Sequence, residues 1–511
     1  MAAPDPNDRL PASVEVDAPE HIAIRGDVVV TPRTALLSRP ALAVASLLAL
    51  AAAAELTPGL ERLRLFSERP AAAPEARGVA APTLSVGEAT LEGETQTRPE
   101  LAQPETVELP TAARGPIARE RGGSELPAID VERPPVEIAD PGGRALSGFF
   151  AALDRTRAKA PGAVTRVLHF GDSIVTSDYV SGTLRRKLQA EFGDAGHGFM
   201  LMANAWPAYF HNDVYRFASS GWLVSRVVGP LAPDGFYGLG GVSFRAPPGS
   251  RARFGTADSG SFGRAVSRFT IDYLVEPGGG TLQLNVDGKP YATLDTSGPE
   301  KQVAYYDVRV PDGPHRLEIV TTKGVSRAFG VVMERDVPGV VLDAIGIQGA
   351  RIRFLDKQDD AHWAEQLAWR SPNLLIYEFG ANESGDGFAY PMADYYRTMV
   401  AVLEQGKRAV PSAGCLVVAA MDRAERRGTS LTSMAVIPAI VAEQRKAAAA
   451  TGCAFFDTLQ AMGGPGSMAA WVERGLGQAD LTHPTGSGSA VLGTWLYRAL
   501  MHAYQAQGSA R

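Results

Sequence analysis

The chain has 511 residues, long enough for more than one domain. Hydrophobic residues make up 45% and charged residues 21%, an ordinary globular balance. A formal net charge of -6 offers no basic footprint for nucleic acid, and a cysteine count of 2 excludes a disulfide scaffold or a Cys/His metal spacing.

Residues 1–34 are polar and mixed in charge. The uncharged run PALAVASLLALAAAA (40–54) follows, and 35–54 reads as a membrane anchor or signal segment. Fifteen helical residues span about 22 Å, short of the roughly 30 Å hydrocarbon core, so Arg39 must snorkel if the run is extended back to Ala35. Arg25, Arg33 and Arg39 precede the run and favour a cytoplasmic N-terminus. A single membrane anchor is the leading expectation, with a cleaved signal peptide and a buried Ala-rich helix as alternatives. Either of the first two places the rest of the chain outside the cytoplasm, in a periplasmic or other extracytoplasmic space. Residues 55–140 read as a disordered linker. Between 67 and 140 they are rich in Pro, Ala, Glu and Arg, with too little apolar surface to offset the entropy of ordering.

From about residue 146 the composition turns globular. TRVLHF (165–170) is a short apolar run ending at Gly171, as a buried parallel strand requires. Val180, Leu184, Leu188 and Phe192 then recur every four residues, one apolar helix face. Further strand-like runs are VVLDAIG (340–346), NLLIYEFG (373–380), CLVVAAMD (415–422) and CAFFD (453–457), with helical patterns between them. The alternation predicts an α/β fold: a parallel sheet with helices on both faces. Cys415 and Cys453 lie in two of these runs and are expected to be buried free thiols, with a disulfide between neighbouring strands as the lesser alternative. Between Gly241 and Arg335 the pattern changes to FTIDYLV, TLQLNVDG, YATLDT, AYYDVRV and HRLEIVTT, separated by turns such as PGGG and PDGPH. This predicts an inserted antiparallel β-sandwich, jelly-roll-like.

A serine nucleophile needs a base, a group to orient that base, and donors for the oxyanion. Ser173 ends a strand and opens a helix, which exposes its hydroxyl at the carboxyl end of the sheet. G-x-S-x-G is absent from the sequence, so an α/β-hydrolase elbow is not supported. D-x-x-H recurs at Asp194/His197, Asp312/His315, Asp359/His362 and Asp480/His483. Only the last pair lies between the final strand and the final helix, whose apolar face is Leu492, Leu496, Ala499 and Leu500, so His483 is the expected base and Asp480 its orienting carboxylate. The turn GIQGARI offers the backbone N–H of Gly349, and EFGANES offers the side-chain amide of Asn382.

In this order HFGDSIV, GIQGARI, FGANE and DLTHP resemble the sequence blocks of the SGNH/GDSL hydrolase family. The resemblance implies Ser173, Asp480 and His483 as catalytic residues and Ser173, Gly349 and Asn382 as the oxyanion hole. It implies no metal or organic cofactor. It covers about residues 163–505 without the insert, and the expected domains are an SGNH hydrolase domain at 145–240 and 336–511 with the insert at 241–335. Ile174 replaces a common leucine, and the insert separates the first two blocks. That interrupted layout, with GDAGHGF and YGLGGVSF, resembles peptidoglycan O-acetylesterases. The implied substrate is an O-acetylated exported glycan and the implied intermediate an acetyl-enzyme. Transfer of the acetyl group to a sugar, hydrolysis of longer acyl esters, and a non-catalytic tethered glycan-binding protein are the competing expectations. Trp206, Tyr209 and Phe210 in ANAWPAYFHNDVYRF (203–217) either stack on sugar faces or pack beneath a loop.

Overall fold

The computed structural model describes residues 131, 134, 136–428 and 430–509. The expected N-terminal segment, the anchor at 35–54 and nearly all of the linker lie outside these. Among the described residues no helix is long and apolar enough to cross a membrane.

In chain order the elements are α1 (Ser147–Arg157), β1 (Val164–Gly171), α2 (Ser173–Thr176), α3 (Tyr179–Phe192), then β2 (Gly198–Leu201), β3 (Val214–Ala218), β4 (Leu223–Arg226), β5 (Val242–Ala246), β6 (Arg251–Thr256), β7 (Val266–Val275), β8 (Thr281–Val286), β9 (Lys289–Asp295), β10 (Gln302–Gly313), β11 (Arg316–Lys323) and β12 (Ser326–Glu334). The chain continues with β13 (Gly339–Gly346), α4 (Asp360–Arg370), β14 (Leu374–Glu378), a 3-10 helix (Glu383–Ala389), α5 (Met392–Ala409), β15 (Gly414–Val418), β16 (Ala424–Arg427), β17 (Ser430–Ser433), α6 (Val436–Thr451), β18 (Ala454–Phe456), α7 (Thr458–Met462), α8 (Ser467–Glu473) and α9 (Gly486–Ser509).

Five parallel strands form one sheet in the order β13-β1-β14-β15-β18. Strand side chains alternate between faces, and here both faces are apolar. Leu168, Phe170, Leu375, Tyr377 and Val417 enter one buried cluster with Trp363 of α4, Leu403 of α5 and Ile440 of α6. Val167, Leu374, Ile376, Leu416 and Val418 enter another with Phe149 of α1, Leu184 of α3 and Leu496 of α9. This explains why the runs read as continuously hydrophobic: neither face meets water. The expected apolar stripes of α3 and α9 are all buried.

Between α3 and β13 come two antiparallel sheets. One runs β10-β7-β12-β5-β4 with β2 on β12, and the other β3-β6-β11-β8-β9. Leu282, Leu284, Leu317 and Ile319 of the second share a buried cluster with Phe269, Ile271 and Val331 of the first. The antiparallel strands begin at Gly198, earlier than the expected Gly241. Strands β2, β3 and β4 are four or five residues long and their burial does not alternate, so they lack the pattern that marks the longer strands. Glu334, at the end of β12, is buried among Arg166 of β1, Arg268 of β7 and Arg370 of α4. Burial alone would raise its carboxyl, but these arginines hold it well below the usual range. Arg370 also grips Asp343 of β13 at 2.6 and 3.0 Å. A charge network therefore joins the antiparallel sheets to the parallel one.

Two expectations are corrected. Cys415 and Cys453 are not free thiols; they form a disulfide with Cα atoms 4.8 Å apart. Leu416 pairs with Ala454 in parallel register, so the residues just before them lie side by side. The linker also does not run unpaired to 140: Ala139 makes an antiparallel bridge with Phe455, adding to the β18 edge.

Candidate active site

The site forms where β1 ends. Gly171 has no room for a side chain: a Cβ there would meet Val175 and the Glu378 carbonyl. Asp172 caps α2 by accepting from Ile174 N at 3.0 Å. The next residue, Ser173, opens the helix and stays partly exposed.

His483 reaches Ser173 from the loop before α9. Ser173 Oγ donates to His483 Nε2 at 2.8 Å, and His483 Nδ1 donates to Asp480 Oδ2 at 2.6 Å. The other Asp480 oxygen accepts from the backbone N–H groups of Thr482 and His483 at 2.9 and 3.0 Å. One carboxylate thus orients both the imidazole and its backbone. Leu481 adopts φ 61°, a conformation costly for a branched side chain. Bonds from Leu481 N to Gln478 O and from Ala424 N to Leu481 O hold it there.

Electrostatics follow the same geometry. The Asp480 hydrogen bond raises His483 above its ordinary 6.5, against the opposing effect of burial. Burial would raise Asp480, but its hydrogen bonds to His483 and Thr482 prevail and hold it at about 2. Burial raises Asp172 to about 7, with Glu383 and Glu378 adding to the effect against the Ile174 N–H. Burial likewise raises Glu383 to about 7, although its Oε1 accepts from Ile352 N.

Gly349 lies in the turn after β13 at φ +80°, and a Cβ there would meet open space. The turn is tied back by Ile347 N to Gly171 O and by Ala350 N to Ile347 O, both 2.9 Å. Asn382 follows β14. Its Nδ2 donates to Ala350 O at 2.8 Å and only weakly to Asp172 Oδ2 at 3.4 Å. The structure thus brings the Gly349 turn and Asn382 up against Asp172, the neighbour of Ser173.

The other D-x-x-H pairs are separated from this site by their own partners. Asp359 caps α4, and His362 donates to Tyr237 O. His315 pairs with Asp287, and Asp312 with Arg335. His197 is buried beside His211. Asp178, His197 and His211 present ligand atoms within 4.8 Å of one another. However, Asp178 is held bidentately by buried Arg185, and Arg185 with Arg216 adds positive charge beside both histidines, so the cluster disfavours a cation.

Sequence reasoning missed Arg423. It stands between the Asn382 loop and the His483 loop and donates to both. No motif marks it, because its partners are mostly backbone atoms and small hydroxyls. Of the two expectations for the aromatic segment, packing holds for Trp206 and Tyr209, which are core residues, 6% and 5% exposed. Phe210 alone of the three is open to solvent.

No family model matches the sequence, and no curated protein matches it. Among solved structures, a peptidoglycan O-acetylesterase superposes with a TM-score of 0.61 at 23% identity, covering 72% of this chain and 99% of that one. A family two carbohydrate esterase from Cellvibrio japonicus gives 0.23 at 13% identity, covering 57% and 98%. An acetylxylan esterase from Geobacillus stearothermophilus gives 0.24 at 18% identity, covering 33% and 73%. With its five-stranded parallel sheet, the strand-turn-helix at Ser173 and the first of these superpositions, the chain has the SGNH hydrolase fold.

Proposed function

We propose that this protein is a serine esterase that removes O-acetyl groups from a glycan, peptidoglycan being the favoured substrate. The observation that carries the reading is the hydrogen-bonded chain from Ser173 Oγ through His483 to Asp480. His483 takes the serine proton as Oγ attacks the acetyl carbonyl. The negative charge on the carbonyl oxygen meets the N–H groups of Ser173 and Gly349 and the Asn382 amide. The tetrahedral intermediate collapses, His483 protonates the departing sugar oxygen, and an acetyl-enzyme remains on Ser173. Water then attacks the acetyl carbonyl while giving a proton to His483, and acetate leaves as Ser173 regains its hydrogen. The fold shared with a peptidoglycan O-acetylesterase supports the substrate class.

An extracytoplasmic location belongs to the same proposal. A Cys415–Cys453 disulfide persists in oxidising compartments, and the apolar run at 35–54 would serve as the anchor.

The test is acetate release from O-acetylated peptidoglycan by the full chain, beside Ser173→Ala. Loss of about a thousandfold or more in the variant supports the reading. Equal release by both proteins would eliminate it. Acetyl transfer to a glycan acceptor as the main product would replace hydrolysis with transfer at the same serine.

A further inference from the structure

Residues 209–211 alternate inward and outward. Tyr209 and His211 point into the core, each 5% exposed. Tyr209 Oη accepts from Leu201 N at 2.7 Å and bonds His211 Nε2 at 2.8 Å. His211 Nδ1 in turn bonds His197 Nε2 at 2.9 Å. Phe210, between them, is therefore turned outward and is 47% exposed.

The backbone that carries this ring meets the short helix that Ser173 opens. Phe210 N donates to Thr176 O at 3.4 Å, and Thr176 ends the short helix that Ser173 begins. The Phe210 ring centroid lies 6.2 Å from that of Tyr179. Tyr179 Cε1 in turn lies 4.0 Å from where a Cβ on Gly486 would sit, in the helix that follows His483. The aromatic pair thus lies between the helix that Ser173 opens and the start of the helix that follows the His483 loop.

The segment is also braced. Asn212 donates from N to Asp178 Oδ2 at 3.0 Å and from Nδ2 to Asp178 O at 2.7 Å. Buried Arg185 binds Asp178, Asn212 O and Asp213 together. A large apolar ring held in water loses the burial that would stabilise it. What sets Phe210 apart is its braced backbone beside the helix that Ser173 opens, where an occupant of the site could cover it.

We propose that Phe210 and Tyr179 form a stacking platform for the pyranose ring that carries the O-acetyl group. This rests on the glycan esterase reading. The negative face of an aromatic ring attracts the polarised C–H groups on one face of a sugar, and the sugar hydroxyls stay free for water. The platform orients the ring so that its ester points to Ser173, and it sets preference for a glycan over a small ester.

The test compares two substrates in the full chain: O-acetylated peptidoglycan, and p-nitrophenyl acetate, which lacks a sugar ring. For Phe210→Ala, the ratio of kcat/KM on glycan to kcat/KM on p-nitrophenyl acetate falls about tenfold, mainly through glycan KM. Phe210→Trp, which keeps an aromatic face, returns the ratio to within about threefold of wild type. An unchanged ratio in Phe210→Ala, with an active wild type, overturns the platform alone. A wild type that hydrolyses p-nitrophenyl acetate but releases no acetate from any glycan overturns both the glycan reading and the platform.

Discussion

Arg423 Nε donates to Thr482 Oγ1 at 2.9 Å, while its Nη1 donates to Ala381 O and Ser384 Oγ, each at 2.9 Å. One guanidinium thereby couples the residue before His483 to the residue before Asn382. Its charge also opposes the rise in the pKa of His483. Arg423→Ala is expected to lower kcat/KM on an acetyl ester by about 10- to 100-fold, since small misplacements of a base and an oxyanion donor are costly. The rising limb of the pH–rate profile should move to higher pH, because the charge that lowers the His483 pKa is gone. Arg423→Lys should recover the pH profile more than the rate, since an ammonium keeps the charge without the planar fork. A profile unmoved in Arg423→Ala would reduce this residue to packing.

On the proposed mechanism, the Asp480–His483 pair sets the pH range of activity. His483 must be neutral to accept the serine proton. Its raised pKa predicts that kcat/KM climbs with pH through a midpoint above 6.5. Asp480→Asn removes the hydrogen-bonded charge that raises it, so the midpoint should fall. The plateau should drop by about 10²- to 10⁴-fold, as the imidazole loses its orienting carboxylate. A pH-rate titration of both proteins measures this, and an unchanged midpoint would contradict the assignment of Asp480.

Asp172 predicts a stability effect of opposite origin. Its folded-state pKa is about 7 against an ordinary 3.8, because burial disfavours the carboxylate. Between those values the folded chain keeps a proton that the unfolded chain has released. Stability is therefore lost as pH rises from 3.8 through 7. Asp172→Asn keeps an oxygen for the Ile174 N–H and removes the ionisation. Its stability relative to wild type should rise by up to roughly 4 kcal/mol between pH 4 and 8, measured by urea unfolding. A difference that does not change with pH would show that Asp172 is not the group responsible.

The disulfide joins β15 to the residue just before β18, which lies at the sheet edge, across a sequence separation of 38. Replacing both cysteines with alanine frees the unfolded chain from that loop, at a cost of about 3–4 kcal/mol in stability. Unfolding of the double variant, and of wild type with and without reductant, checks this. Equal midpoints would show that the pair does not stay bonded in solution.

How much was legible depended on sequence distance. Strand-and-helix alternation was readable because each buried strand displays its burial as a continuous apolar run, as in TRVLHF and NLLIYEFG. The long antiparallel strands were readable from their alternation, whereas β2, β3 and β4 are too short to show a period and their burial does not alternate. The aromatic segment 203–217 could not be sorted into inward and outward residues, because Tyr209, Phe210 and His211 differ in direction only once β2 and α3 pack around them.

By itself the sequence determined the longer strands and helices and picked out Ser173, Gly349, Asn382, Asp480 and His483, because turns, strand ends and helix starts are local features. Only the tertiary structure decided that Ser173 and His483, separated by 310 positions, stand 2.8 Å apart, that Cys415 meets Cys453, and that Arg423 ties two loops together. Those relations come from the order and register in which distant strands pair. That pairing is set by burying both faces of the whole sheet at once.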